Sequence, residues 1–326
     1  MGGIRALALL LAAAVAGWCL SAGAETVLAL GYVLGPTSHY GVAAQVMADE
    51  VATRSNGRYR VQLFPDGQLG GEREMAVGAQ IGTVDLVLIS TGPVGSFVPA
   101  TLITDIPFLF RDTAHARMVL DGPIGQEILA DFPAHGLIGL AWGENGFRHL
   151  TTSGRPVSHP ADLAGLKLRV MQNAVHLRAF AVLGALPVPL PFPKLYGALK
   201  SGAVDGEENP IPVILDGRFA EVQKYLSLTA HVYSPAAIVM APRLWQSLSE
   251  ADRTAFREAA RLAAAAQRAE VDRADREGLA TLRAAGMTVI EDVDRPAFQA
   301  ALAPAYAEYT TFFGKDRIDR IRDARP

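Results

Sequence analysis

Two arginines, an asparagine and two pairs of carboxylates are the residues of this 326-residue chain whose types and settings could do chemistry. Arg169 lies in GLKLRVMQN, residues 165–173, where Leu166, Leu168 and Val170 alternate with Lys167 and Arg169. That is the period of a strand with one apolar face, and it places Arg169 near the strand's C-terminal end. A guanidinium keeps its charge and carries five donors in a planar fork, so a buried one needs an anion, from the protein or from a ligand. Arg148 follows a predicted strand in NGFRHLTT, and Asn209 ends the turn-like VDGEENP. All three fall where a parallel sheet presents ligands, at the carboxyl ends of strands. For each arginine the competing reading is an internal salt bridge or a solvated surface charge. The pairs Glu72/Glu74 and Glu207/Glu208 read first as helix-dipole or surface charge.

Signatures of catalysis are absent. The sequence holds no G-x-S-x-G, no H-E-x-x-H, no phosphate-binding loop and no G-x-G-x-x-G. His39, His115, His135, His149, His159, His176 and His231 show no ligand-like spacing, so neither a metal nor a cofactor is expected.

The elements that must position these residues follow an α/β order. ETVLALGYVL (25–34) reads as a buried strand, residues 39–57 as a helix stopped by Asn56-Gly57, and YRVQLFP (59–65) as a strand. A glycine loop then opens a helix with Glu72 and Glu74 in its first turn, and DLVLIS (85–90) is a third strand. This β-α-β-α-β order indicates a parallel sheet flanked by helices. Similar units recur from 136 to 206: strands at 136–152 and 165–170, a helix at 173–184, an extended 185–191 and a helix ending at Gly202. GTVD (82–85) and GAVDG (202–206) match locally, which suggests two alike lobes. Residues 249–286 lack proline, carry a Ser249/Asp252 box and predict a helix of about 37 residues, roughly 55 Å, which either spans two lobes or breaks near Gly278. A short strand and a helix complete the tail. No low-complexity linker is present, so the chain must cross between lobes in ordinary strands.

Composition agrees with a core-forming protein: 50% hydrophobic, 19% charged, net charge −3 and no basic block, which argues against a nucleic-acid partner. The first 24 residues have Arg5, an apolar run and Ala22-Gly23-Ala24, the pattern of a secretory signal cut after Ala24. The stretch is short for a membrane anchor, and Trp18 before Cys19 argues against a lipoprotein. Cleavage removes Cys19, the only cysteine, and leaves 29 basic against 33 acidic residues, a charge of −4. A thiol-free exported chain suits the periplasm.

Taken in order, GQLGGERE, DIPFLF, NGFRHLTT, DLAGLKLRV, KLYGALKSGAVDGEENP and the long C-terminal helix resemble the DctP-type solute-binding proteins of tripartite ATP-independent periplasmic (TRAP) transporters. The resemblance runs over nearly all of the chain beyond residue 24. It implies two α/β lobes with mixed or parallel sheets, braced by one long helix, with the ligand in a cleft that closes. Lobe 1 would comprise 25–146 plus about 235–270, and lobe 2 147–234 plus about 271–326. It implies that Arg169 grips a ligand carboxylate, assisted by Arg148 and Asn209. Glu72, Ser90, Thr91 and Gln172 match polar cleft positions, Phe192 an aromatic that packs on the ligand, and Tyr32 and His39 flank the first loop. Glu208, beside Asn209, is counted with the ligand-binding set. Val33 stands where some sialic-acid binders of the family are polar, which argues against that ligand.

The expectation is therefore a monomeric, non-enzymatic periplasmic receptor that is not membrane-embedded and hands a small organic acid to a TRAP permease. A sugar acid is favoured, since one arginine fixes one carboxylate and the polar positions could read hydroxyls; a C4-dicarboxylate, served by Arg148 or His39, comes next. The alternatives are an exported α/β enzyme acting on a small carboxylate, or a binding protein of an ABC transporter or a sensor.

Overall fold

The computed structural model describes residues 25–325, so the expected signal segment, Cys19 included, lies outside the described residues. Strand β1 (Thr26–Gly31) lies between β2 (Tyr59–Phe64) and β3 (Leu86–Ser90), parallel to both, with Leu30 opposite Leu63 on one side and Leu86 on the other. Helix α1 (His39–Arg54) connects β1 to β2, and α2 (Glu72–Ile81) connects β2 to β3. The Ser38 hydroxyl caps α1 by accepting the Gly41 N–H at 3.1 Å. Its expected stop holds, with Asn56 and Gly57 both at positive φ (52° and 75°).

A second parallel unit repeats this plan. Strand β4 (Ile138–Thr152) leads towards β5 (Lys167–Val170), which pairs in parallel with β6 (Leu186–Pro189) and β7 (Gly206–Pro210). Helix α3 (Ala174–Val182) follows β5, α4 (Leu195–Ser201) precedes β7 and α5 (Ile211–Asp216) follows it. The two units are joined by β4 and by β8 (Tyr225–Met240), which run antiparallel from Ile138 opposite Met240 to Thr152 opposite Tyr225. The result is one mixed sheet ordered β2-β1-β3-β8-β4-β7-β5-β6, with β9 (Thr288–Ile290) beside β8. The crossing in ordinary strands, expected from the missing linker, is this pair.

The sequence pattern assigned no element to 225–240, and the reason is physical. Pro235 sits inside that segment, and a proline cannot donate to a ladder. In the structure Pro235 lies opposite Glu144, where the β4–β8 register slips between Glu144 and Gly146. The residue the bulge leaves without a partner is Asn145 of β4, so the ladder is already interrupted beside the proline. A second slip, between Arg148 and Leu150, follows at once, so the joining strands are irregular where the two units meet.

Helix α6 (Glu250–Ala284) runs 35 residues without a break, roughly 52 Å, and spans both units. The Ser249 hydroxyl accepts the Asp252 N–H at 3.1 Å to start it. Its small face, Ala259, Ala260, Ala263 and Ala264, is buried against α1 and β4. At Gly278 the helix touches α5: a Cβ there would lie 2.5 Å from Ile211 Cγ2 and 2.9 Å from Leu215 Cδ1. Gly278→Leu should therefore destabilise the protein by about 1–3 kcal/mol despite the better helix propensity of leucine. Urea denaturation reads this directly, and an unchanged or higher midpoint would mean that α5 can retreat. The tail after β9 forms three short helices where one was expected: Arg295–Ala301, Ala303–Phe313 and Lys315–Arg322.

Candidate functional site

A narrow pocket lies where the two units meet. The first unit contributes Val33 and Leu34 after β1, Tyr40 of α1, Glu72 at the start of α2 and Ser90 at the end of β3. Asn145 and Arg148 come from the joining strand β4. The second unit contributes Arg169 and Met171 at the end of β5, Phe192, Asn209 of β7 and Val213 of α5. Carboxyl ends of parallel strands thus supply both charged and polar groups, as expected for this architecture.

Arg169 is 2% exposed. Its Nε and Nη2 donate to the Leu190 carbonyl at 2.9 and 2.7 Å, which orients the guanidinium plane. Nη1 is buried and has no protein partner. Burial, and then the Arg148 guanidinium nearby, push the Arg169 group down to about 10, against the opposing pull of Glu208, Glu207 and Glu72. It stays charged at neutral pH, yet it is a cation with an unused donor in a poorly solvating place. An incoming anion would relieve both deficits.

Arg148 is differently placed. It is 1% exposed and grips Glu208: Nη2 donates to Oε1 at 2.8 Å, Nε donates to Oε2, and Nη2 also reaches the Glu208 carbonyl. Nη1 has only the Ser234 hydroxyl, at 3.4 Å. Glu208 also accepts from His231 Nε2 at 3.1 Å, and His176 Nδ1 stands 3.7 Å away. The internal salt bridge weighed for Arg148 therefore exists, and Glu208 lies behind the guanidinium, outside the pocket lining. Asn209 faces the pocket with its Nδ2 hydrogen-bonded to the Glu207 carboxylate, and Thr151 Oγ1 donates to Glu207 at 2.7 Å.

Across the pocket, Glu72 Oε1 accepts the Ser90 N–H at 2.7 Å, and burial raises the Glu72 carboxyl above its ordinary value. The Ser90 hydroxyl meets Tyr40 Oη at 3.2 Å and accepts from Asn145 Nδ2 at 3.1 Å. His39 Nε2 meets Asn145 Oδ1 at 3.1 Å. Burial pushes the His39 imidazole down to about 4, so it is neutral and offers no second cation.

Of the residues expected at the site, Arg169, Arg148, Asn209, Glu72, Ser90 and Phe192 line one pocket. Five others do not. His39 stands behind Asn145, and Glu208 behind Arg148. Thr91 is buried and donates to Asp105 at 2.6 Å. Tyr32 is buried, and Gln172 half-buried, away from the lining. Tyr40, Asn145, Met171, Leu34 and Val213 line the pocket without having been singled out for ligand contact. Asn145 entered only as a neighbour of the expected lobe boundary at 146. An asparagine beside a glycine in the middle of a long strand, at the expected lobe boundary, is the signal that could have drawn attention to it.

The family model for bacterial extracellular solute-binding protein family 7, DctP, matches residues 30–311. A TRAP periplasmic solute-binding protein from a Polaromonas species, with D-erythronate bound, superimposes with a TM-score of 0.92 at 52% identity, covering 93% of this chain and 100% of that one. A TRAP periplasmic solute-binding protein from Bordetella bronchispeptica, with density interpreted as pantoate, gives a TM-score of 0.91 at 49% identity, covering 93% and 100%. The 2,3-diketo-L-gulonate-binding periplasmic protein YiaO of Escherichia coli is 38% identical over 89% of this chain and 88% of its own length.

Proposed function

The chain belongs to the bacterial extracellular solute-binding proteins of family 7, and from that premise we propose that its pocket holds a small hydroxylated monocarboxylate through Arg169. The protein is an extracytoplasmic solute receptor of the TRAP type, which delivers a small organic acid to a membrane permease. The observation that carries the ligand class is the unpartnered Nη1 of a buried, pre-oriented guanidinium. Asn209 supplies a further donor beside it, and Glu72 on the far wall is an acceptor for ligand hydroxyls. Val33, Leu34, Met171, Phe192 and Val213 cover the carbon skeleton.

A second carboxylate would fare poorly. Arg148 is already engaged by Glu208, His39 is neutral, and Glu72 would repel an anion if ionised. This ranks hydroxy acids above C4-dicarboxylates. Erythronate and pantoate, bound by the two similar structures, are both hydroxy monocarboxylates. A thermal-shift screen tests the ranking. At a hundredfold excess over Kd a ligand adds about 2.7 kcal/mol of stability. D-erythronate and related aldonates should raise the melting temperature, and the acid should be recovered with unchanged mass, since Arg169 grips its carboxylate alike throughout and uniform binding does not accelerate a reaction. A larger shift with succinate would sink the monocarboxylate reading.

The lobe boundaries belong to the same proposal: 25–146 with about 235–270 against 147–234 with about 271–326. Their support is the cluster of register slips between Glu144 and Leu150, a natural bending point. Ligand binding should close the lobes and reduce the radius of gyration in small-angle scattering. An identical profile at saturation would mean a rigid cleft. Periplasmic placement rests on the leader pattern of residues 1–24. Among the described residues no helix is long and apolar enough to cross a membrane.

A further inference from the structure

Glu207 is a fully buried carboxylate beside the pocket for which ligand capture by Arg169 has no evident use. It lies on β7 opposite Arg169 of β5 in the parallel ladder, so the two side chains leave the sheet on the same face. The charged groups around it are Arg169 of β5, Arg148 of β4 and Glu208 of its own strand; His176 of α3 and His231 of β8 face Glu208. Arg148 and Glu208 are locked to each other. Arg169 is left with two uncommitted carboxylates, Glu207 beside it in the ladder and Glu72 across the pocket, and burial holds both above their ordinary values.

A ligand carboxylate on Arg169 upsets this balance. It adds an anion to a buried cluster whose cations already face carboxylates, in a place shielded from water where an uncompensated charge is costly. Resting on the carboxylate-receptor reading above, we propose that Glu207 balances Arg169 in the free receptor and takes up one proton from solvent when the ligand anion binds. The surrounding hydrogen bonds suit both forms. With Glu207 ionised, the Thr151 hydroxyl donates to its Oε1 at 2.7 Å. The same Oγ1 lies 3.3 Å from Gln223 Oε1, an acceptor. On protonation of Oε1 the Thr151 hydroxyl turns to Gln223 and accepts from Glu207, so no donor is stranded. Oε2 remains an acceptor for Asn209 Nδ2 in both forms, so the Asn209 amide keeps its place in the pocket.

Burial, reinforced by Glu208, already pushes the Glu207 carboxyl up to about 7, against the hydrogen bonds from Thr151 and Asn209 and the pull of Arg169. A new anion moves it further in the same direction. The sign follows: below about pH 7 the free receptor is already protonated and binds tightly, and above it binding must draw in a proton. Affinity then falls with rising pH, by at most about tenfold per pH unit, until the midpoint of the bound form is passed.

The test is calorimetric titration of the native protein with D-erythronate at about pH 7.5, in phosphate and in Tris, whose ionisation enthalpies differ. The expected result is a buffer-dependent heat corresponding to uptake of up to about three-quarters of a proton. Glu207→Gln should abolish that uptake and flatten the pH dependence of Kd, a change that a merely structural role would not produce. Equal heats in the two buffers, or uptake that survives in Glu207→Gln, overturns the assignment. If D-erythronate gives no heat with the native protein, the ligand class is what fails. Glu207 is then read in the ligand-free protein by carbon-13 NMR of carboxyl-labelled glutamate. A midpoint near neutrality that disappears in Glu207→Gln supports the assignment, and an ordinary carboxylate midpoint overturns it.

Discussion

Arg169→Lys should raise the Kd for the bound acid by about ten- to a hundredfold, equivalent to about 1.5–3 kcal/mol. The substitution keeps a positive charge, so the loss isolates geometry. In the native protein the Leu190 carbonyl takes Nε and Nη2, which aims Nη1 at the pocket. A lysine has one nitrogen for both tasks. If it donates to Leu190 it offers the ligand less, and if it reaches the ligand it strands a buried carbonyl. Calorimetry on the purified variant, with its melting temperature as a folding control, decides the matter. Near-native affinity would remove Arg169 from the role of carboxylate anchor.

The second large effect concerns stability. Glu208→Ala should cost about 3–5 kcal/mol, because it leaves a buried guanidinium without its counter-charge. Arg148 is 1% exposed, and its remaining side-chain partner would be the Ser234 hydroxyl at 3.4 Å. His231 would lose its acceptor as well. Urea denaturation at neutral pH measures the loss, and a change under 1 kcal/mol would show that water reaches Arg148 once the carboxylate is gone. The same pair makes stability depend on pH. Burial opposes the charged form of Glu208, but Arg148, with His176 and His231, holds its carboxyl well below the usual range. A depressed folded-state value means that the stabilisation is present above the unfolded value of about 4.3 and is lost as the pH falls below it. Glu208→Ala should lack that component of the acid transition.

Much of the fold is local and could be read along the chain. The period of GLKLRV placed Arg169 on a strand and near its end, as found in β5. Ser249 and Asp252 marked the start of α6, and the unbroken alanine-rich period marked its length. The β-α-β-α-β order implied the parallel pairing of β1 with β2 and β3. Each of these depends on residues a few positions apart, where backbone geometry alone relates side chains.

The site depends on a different kind of information. Arg148 and Glu208 are 60 residues apart, and nothing in either segment names the other. They meet because β4 pairs antiparallel with β7, with Leu150 opposite Glu208 and Arg148 opposite Pro210. Periodicity tells which face of its own strand a residue occupies, but not which element covers that face. Register settles the rest, and a slip of one residue sends every later side chain to the other side of the sheet. A one-residue slip falls between Glu144 and Gly146 and a larger one between Arg148 and Leu150, at Asn145 and next to Arg148. So the sequence by itself determined that Arg169 is a strand-end cation needing an anion. Only the tertiary structure decided that Arg148 already has its anion in Glu208 while Arg169 keeps a donor free, because that difference arises from strand register and bulges rather than from the residues' own neighbours.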